Sequence, residues 1–548
     1  MSEPTGHIDT FVCDHLPPEA LLPEMNYSSL PVLAAYPSRF NVGTELLDRL
    51  ACGDSDTRPA IHFKGKVWTY SELLDKANRI ASVLTRDLGL IPGGRVLLRS
   101  ANHPLMVACC LGVWKAGGIV IPTMPVLKAR ELVYVMEKAR VQFVISDVRL
   151  AEDIQRAEEN APSLQRILYF GDGRGDGLEA LMEASPNTFA NVDTSAADPA
   201  LIGFTSGSTG TPKGTLHLHR DLLAVADTFA GGLLNIGPED IVCGSPQIAF
   251  LYGLCAFIPD TLRFGASAVL LERGTPEALL EAIERHGATV CFSTPSGYTQ
   301  MLEKVPRHDL KSLRVCVAGG EPLAAGVFHA WKGETGVEII NGLGISELLH
   351  IFISAKGGDI RPGAIGKEIS GYRVRVVDKD MNDTTPGEVG QMIVKGPTGC
   401  RYLDDPDRQE LYVRDGWNMT GDLCRIDEDG YIYYEARTDD MINTGGYNVS
   451  GLDVESVLIE HPKVRECAVV GSPDKWRGQI VKAFVVLTGE VEAIEETAAE
   501  LQEFVKSQIA TYKYPRVVEF VGSLPHTPTG KIQRGALREL EIDRNALS

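Results

Sequence analysis

Apolar runs and helical repeats alternate through the middle of the chain. Ala266–Leu271 reads as a strand. Thr275-Pro276-Glu277 then supplies an N-cap hydroxyl, a proline at the first helical position and an acidic first turn. A helix is predicted from there to His286, with Gly287 closing it and Ala288–Phe292 as the next strand. Leu313–Ala318 is a further strand, with Gly319-Gly320-Glu321-Pro322 at its end and a helix after it. Such alternation predicts mostly parallel sheets flanked by helices. Ligands in such sheets lie beyond the carboxyl ends of the strands. Leu105 to Met124 is the most membrane-like stretch, but Lys115 and several glycines interrupt it. A buried helix followed by a strand is the better reading.

The pattern changes after about residue 370. Tyr372–Asp378, Gln391–Lys395 and Tyr431–Tyr434 are short strands separated by turns such as Pro386-Gly387-Glu388, which predicts a small β-rich subdomain. A compact α+β unit begins at Asp440, with strands near Cys467–Val470, Val481–Leu487 and Val517–Val521 and a helix near Ile494–Ile509. Repeats and low-complexity tracts are absent.

Composition narrows the class. A chain of 548 residues is too long for one core. A net charge of −20 argues against nucleic acid or an anionic membrane as a broad partner. The amino end has no basic region followed by an apolar one, so no secretory signal is expected. Eleven cysteines without a Cys-x-x-Cys pair read as reduced, buried thiols of a cytoplasmic protein.

Residues 205–214 carry the strongest chemical signal: Thr205, Ser206, Gly207, Ser208, Thr209, Gly210, Thr211, Pro212, Lys213 and Gly214. Glycine lets backbone approach a ligand, and successive N–H groups can form an anion-binding nest. Lys213 adds a point charge, so the loop is suited to phosphate. It is expected between the apolar run Ala200–Phe204, read as a strand, and a helical pattern from Asp221. It is not a Walker A loop, because Pro212 precedes the lysine and Gly214 follows it.

This loop resembles the signature of the adenylate-forming superfamily of acyl-CoA synthetases, peptide-synthetase adenylation domains and luciferases, and the resemblance runs in order to Lys531. It implies a large N-terminal domain, 1–438, that binds AMP and the acyl group, and a small mobile domain, 439–548, hinged at Asp439. It implies ATP, Mg²⁺ and coenzyme A as the small molecules handled. Asn341-Gly342-Leu343-Gly344-Ile345-Ser346-Glu347 matches the strand-end motif whose glutamate holds Mg²⁺, with Ser346 in place of threonine. Alone, Ser346-Glu347 would read as a helix cap. Gly320-Glu321-Pro322 resembles the segment flanking adenine. Asp422 in Thr420-Gly421-Asp422, together with Arg437, resembles the ribose-binding pair. Lys531, on a loop shaped by Pro525, Pro528 and Gly530, matches the lysine that bridges the carboxylate and the α-phosphate. Gly445-Gly446-Tyr447 resembles the loop that approaches coenzyme A. Two departures stand out. Asn443 replaces a lysine common in relatives, and Asn341-Gly342 replaces an aromatic residue that stacks on adenine.

The acyl group is read from three places. Ile248–Leu254, holding Ala249, Phe250 and Tyr252, occupies the pocket-forming segment and has no acid to pair with an α-amino group. With Gly344, Ile345 and His350 it would form the acyl site, and Glu347–Phe352 resembles the benzoate-CoA ligase group. Leu16-Pro17-Pro18 through Thr44–Asp48 is similar to 2-aminobenzoate-CoA ligases. Ala249 would leave room for a ring substituent, although different packing explains it equally well. The expected activity is an ATP-dependent acid-thiol ligase acting on an aromatic carboxylate. The alternatives are a stand-alone adenylation enzyme serving a carrier protein and a short- or medium-chain fatty acyl-CoA ligase. A non-catalytic nucleotide sensor fits poorly with both Lys531 and Glu347 in place. A homodimer is left open, and membrane insertion is not expected. His217 and His219 read as strand packing rather than as a metal pair.

Overall fold

The computed structural model describes residues 4–51, 57–171, 173–205, 212–437, 440–444, 447–474, 478–489, 491–509, 511–527 and 530–546. Among these, the strands form four sheets. The largest runs in the order Lys367–Glu368, Ile351–Ser354, Ile339–Gly344, Val315–Gly319, Val290–Ser293, Ile241–Gly244, Ser267–Val269, Pro59–Phe63, Lys66–Thr69. Its central pairs are parallel and its edges antiparallel. The second runs Arg166–Phe170, Phe143–Asp147, Arg95–Arg99, Ile119–Thr123, Pro199–Thr205, Lys213–Leu218. The fold is therefore the expected mixture of parallel-rich sheets, flanking helices and smaller sheets.

Local chemistry explains several elements. Thr275 caps the helix Pro276–His286 by accepting from Ala278 N–H, and Gly287 ends it at φ 64°. Pro104–Lys115 is a helix buried along its whole length, and Ile119–Thr123 is the strand after it. Burial lowers the Lys115 pKa there, and Asp48, at 2.5 Å, counteracts that fall. Trp114, Val107 and Leu111 of the same helix are buried as well.

The β-rich part follows the expected change of pattern. Arg373–Val377, Val389–Lys395, Val413–Arg414, Trp417–Ile426 and Ile432–Arg437 make one sheet. The last sheet contains Ile442–Thr444, Tyr447–Val449, Val464–Asp474, Gly478–Leu487 and Val517–Phe520, with helices Gly451–Leu458, Glu495–Gln508 and Arg534–Ala546. By packing, the chain divides into Met1–Val374 with Val394–Met419, and Arg375–Ile393 with Thr420–Ser548. The first unit has separate apolar clusters around Trp331 and around Ile121. The second has its own core around Val469, Val485 and Leu501. Among the described residues, no helix is long and apolar enough to cross a membrane.

One expectation needs correction. The sequence placed the 205–214 loop between a strand and a helix. Thr205 instead pairs antiparallel with Lys213, so residues 206–211 connect two neighbouring strands. The helix His219–Val225 begins only after the second strand, Lys213–Leu218. The glycine- and threonine-rich composition hid this strand, because Thr215-Leu216-His217-Leu218 is too short a run to show a period.

Candidate active site

Three residues of the first unit meet around one carboxylate. Glu347 lies on the short helix Ser346–Leu348 that follows the strand Ile339–Gly344. The Tyr402 hydroxyl donates to Glu347 Oε1 at 2.6 Å, and Lys213 Nζ lies 3.6 Å from the same oxygen. Lys213 Nζ is also 5.6 Å from the centre of the Tyr402 ring, within cation–π range. Burial, reinforced by the neighbouring Glu347 charge, pushes the Tyr402 phenol far above its ordinary pKa, so it remains a donor.

Backbone pairing brings these residues together. Leu216 N–H donates to Arg401 O at 2.8 Å and Leu403 N–H donates to Gly214 O at 2.9 Å. Residues 401–403 thereby continue the sheet beside Lys213–Leu218. Buried Arg401 is matched by Asp221 at 2.9 Å. Thr398 Oγ1 donates to Leu348 O at 2.9 Å and holds the Glu347 turn from the other side. Leu349 has a φ of 74°, a backbone state that costs a non-glycine residue about 1–3 kcal/mol. Such strain persists only where the surroundings over-determine it, as these bonds do.

The two segments expected at adenine lie side by side. Val315–Gly319 and Ile339–Gly344 are parallel neighbours with Gly319 opposite Gly342. Gly320-Glu321-Pro322 and Asn341-Gly342-Leu343 therefore sit at or beside adjacent strand ends, where the topology places ligands. Gly320 has a φ of 90°, which a side chain would strain. The Glu321 carboxylate accepts from Ser296 N–H at 3.1 Å and Ser296 Oγ at 3.2 Å, anchoring the start of the helix Pro295–Leu302. A side chain at Gly344 would meet His350 O at 2.6 Å, so the strand can double back only with glycine there.

The acyl candidates form a second cluster. Tyr252 lies on the helix Leu251–Phe257, and its ring is 5.9 Å from that of His350. His350 also meets the Phe229 ring edge-on at 5.0 Å. Ala249 is buried and Phe250 is half-buried in the loop leading to that helix. Asn102 clamps this loop: its amide accepts from Ile248 N–H at 2.7 Å and donates to Pro246 O at 3.0 Å.

The second unit carries the expected ribose pair. Asp422 and Arg437 are directly opposed on antiparallel strands, and Arg437 Nη1 lies 3.3 Å from Asp422 Oδ1. Lys531 is exposed at the end of a tight turn. Its N–H donates to Thr527 Oγ1 at 3.0 Å, and Thr527 N–H donates back to Lys531 O at 2.7 Å. Tyr447 opens the strand Tyr447–Val449. Ser206, Gly207, Ser208, Thr209, Gly210, Asp439, Gly445 and Gly446 lie outside the described residues.

Reading the sequence missed Tyr402, Asn102 and the Asp221–Arg401 pair. Tyr402 is 55 residues from Glu347, and Asn102 is 146 from Ile248, so no local spacing signals either contact. Among the described residues, no group of three or more His, Cys, Asp or Glu side chains could hold a metal. A single buried carboxylate beside Lys213 suits a cation that takes most of its ligands from phosphate and water. His217 and His219 are fully buried, the first on a strand and the second opening a helix.

Known proteins resemble this chain in sequence and fold. Residues 49–401 match the AMP-binding enzymes, and residues 453–531 match the C-terminal domain of AMP-binding enzymes. The benzoate–CoA ligase of Thauera aromatica is 35% identical over 94% of this chain and 98% of its own length. The solved structure of the anthranilate CoA ligase AuaEII with anthranoyl-AMP superposes with a TM-score of 0.89 at 31% identity, covering 94% of this chain and 99% of that one. A benzoate CoA ligase from Burkholderia xenovorans LB400 gives a TM-score of 0.83 at 31% identity, over 91% and 100%. The chain belongs to the AMP-binding enzymes, the adenylate-forming family, and stands among its acyl-CoA ligases.

Proposed function

We propose that the protein is an aryl-CoA ligase for 2-aminobenzoate or benzoate. The substrate carboxylate attacks the α-phosphorus of ATP, giving an aryl-adenylate and pyrophosphate. The thiol of coenzyme A then attacks the acyl carbon, giving aryl-CoA and AMP. The observation carrying this reading is the acyl cluster: Ile248–Leu254 contains no acid, and Tyr252, His350 and Phe229 pack their rings together. An aromatic, largely apolar wall suits a benzoate ring and offers no carboxylate for an α-amino group. The names of the benzoate and anthranilate ligases support it.

The residue roles follow from charge. Two anions must meet, so cations and preorganised donors carry the first step. Lys213 and the 205–210 loop would hold the β- and γ-phosphates, and Lys531 would bridge the carboxylate and the α-phosphate. Mg²⁺ would be held by Glu347, oriented by Tyr402, and would neutralise phosphate charge. Asp422 and Arg437 would bind the ribose hydroxyls, with Gly320–Pro322 and Asn341–Leu343 flanking adenine. Gly445-Gly446-Tyr447 would receive coenzyme A after residues 439–548 turn about Asp439. Free, mostly buried thiols accord with a cytoplasmic setting.

The test is pyrophosphate release with and without coenzyme A over substituted benzoates and short- to medium-chain fatty acids. The expected result is turnover of the two aromatic acids, with aryl-CoA formed only when coenzyme A is present. Preference for an aliphatic acid, or transfer only to a carrier protein, would replace this reading.

A further inference from the structure

His350 is held by a partner that the sequence does not announce. Its Nε2 lies 2.8 Å from Asp260 Oδ2, and the two side chains are 1% and 0% exposed. Asp260 sits on the short helix Pro259–Leu262, 90 residues away in sequence. Burial raises the Asp260 carboxyl, and His350 counteracts that rise. A carboxylate buried in apolar surroundings is costly unless it is hydrogen-bonded, and here the protein bond to it comes from the imidazole.

This contact decides the chemistry of the other ring nitrogen. An ionised carboxylate accepts the hydrogen bond from Nε2–H, and in the neutral imidazole Nδ1 then carries the lone pair. His350 Nδ1 is buried and has no protein partner among the described residues, and the same is true of the Tyr252 hydroxyl. A buried acceptor and a buried donor or acceptor, both unsatisfied, thus lie on rings 5.9 Å apart. Native interiors seldom leave such atoms unpaired, and two of them on neighbouring rings call for a common partner such as a water or a polar group of a ligand. The Phe229 ring meets the imidazole edge-on and has no group that could hydrogen-bond to Nδ1.

We infer that Asp260 is a positioning residue that holds His350 as the Nε2–H tautomer, so that Nδ1 accepts a hydrogen bond from a donor group on the substrate ring, an ortho-amino group above all. This rests on the aryl-acid reading given above. It moves the choice between 2-aminobenzoate and benzoate from pocket size alone to a hydrogen bond set by a residue remote in sequence. A site built to hydrogen-bond a substrate N–H discriminates far more strongly than one that differs only in volume.

Asp260→Asn tests it. The amide can donate to Nε2, which shifts the ring proton to Nδ1 and turns the acceptor into a donor. The expected result is a fall in kcat/KM for 2-aminobenzoate on the order of a hundredfold relative to benzoate, with benzoate turnover nearly unchanged. An equal fall for both acids would show a merely structural role and overturn the inference. Nitrogen NMR of histidine-labelled wild-type protein, with His350 assigned through His350→Gln, gives a second reading that does not depend on how the variant folds. An unprotonated Nδ1 supports the inference, and a protonated Nδ1 overturns it. The aryl-acid reading fails separately, through wild-type protein that activates neither aromatic acid. In that case the recognition of a ring substituent falls with it.

Discussion

Glu347 and Lys531 are assigned to the same first step, yet the protein holds them in opposite ways. Glu347 is buried and bound on several sides. Tyr402 donates to it, Lys213 lies 3.6 Å away, and Thr398 fixes the carbonyl of the next residue. Lys531 is exposed on a turn closed by bonds to Thr527. A carboxylate that must meet a divalent cation gains from a preorganised, partly dry setting, where charge is worth more. A lysine proposed to act in only one half-reaction would gain from an exposed loop. Under the proposed roles, burial would mark the fixed part of the machinery and exposure the part that moves.

Lys531→Ala is the strongest test of that contrast. Adenylation should fall by about 10²–10³, because the lost charge acts where the carboxylate meets the α-phosphate. Transfer from preformed aryl-adenylate should be largely intact, and thermal stability should be unaltered, since the side chain is exposed. Equal loss in both half-reactions, measured with isolated aryl-adenylate, would remove the distinction.

Tyr402→Phe probes the buried side. It removes the donor at 2.6 Å and frees the Glu347 carboxylate to rotate. The Mg²⁺ concentration for half-maximal pyrophosphate release should rise about 10–100-fold, the usual cost of losing a group that orients a metal ligand. Titration of the rate with Mg²⁺ reads this, and an unmoved midpoint would separate Tyr402 from the metal.

Ala249→Phe asks whether the acyl cluster is equally rigid. Overpacking typically costs ~1–3 kcal/mol, so the ratio of kcat/KM for 2-aminobenzoate over benzoate should fall about ten- to a hundredfold. An unchanged ratio would place residue 249 away from the ring.

The last test reads stability in acid. Burial lowers the His219 pKa from 6.5 to about 3, and its Nδ1 accepts from Val42 N–H at 3.2 Å. The unfolded chain takes up this proton first, so stability should fall as pH drops from about 6.5 towards about 3. The slope is at most about 1.4 kcal/mol per pH unit for one group. Melting temperature against pH measures it. His219→Asn, which keeps an acceptor for Val42, should flatten the curve.

Much of this protein was legible along the chain because the relevant signals are local. The Thr275–Gly287 helix, the strand before Gly320 and the order of motifs from Thr205 to Lys531 depend on capping, periodicity and loop composition, all set within a few residues. The residue types at Lys213, Glu347, Asp422 and Lys531 likewise carry their chemistry with them. The tertiary structure decided what each of these touches. It put Lys213 on a strand opposite Thr205, Tyr402 on Glu347, Asn102 on the 246–248 loop and Asp260 on His350. Each of the last three contacts joins segments 55 to 146 residues apart. Parallel sheets pair strands only through long crossovers, so residues neighbouring in space are distant in sequence and share no spacing. Local patterns determine which groups are present, and the crossovers determine which of them meet.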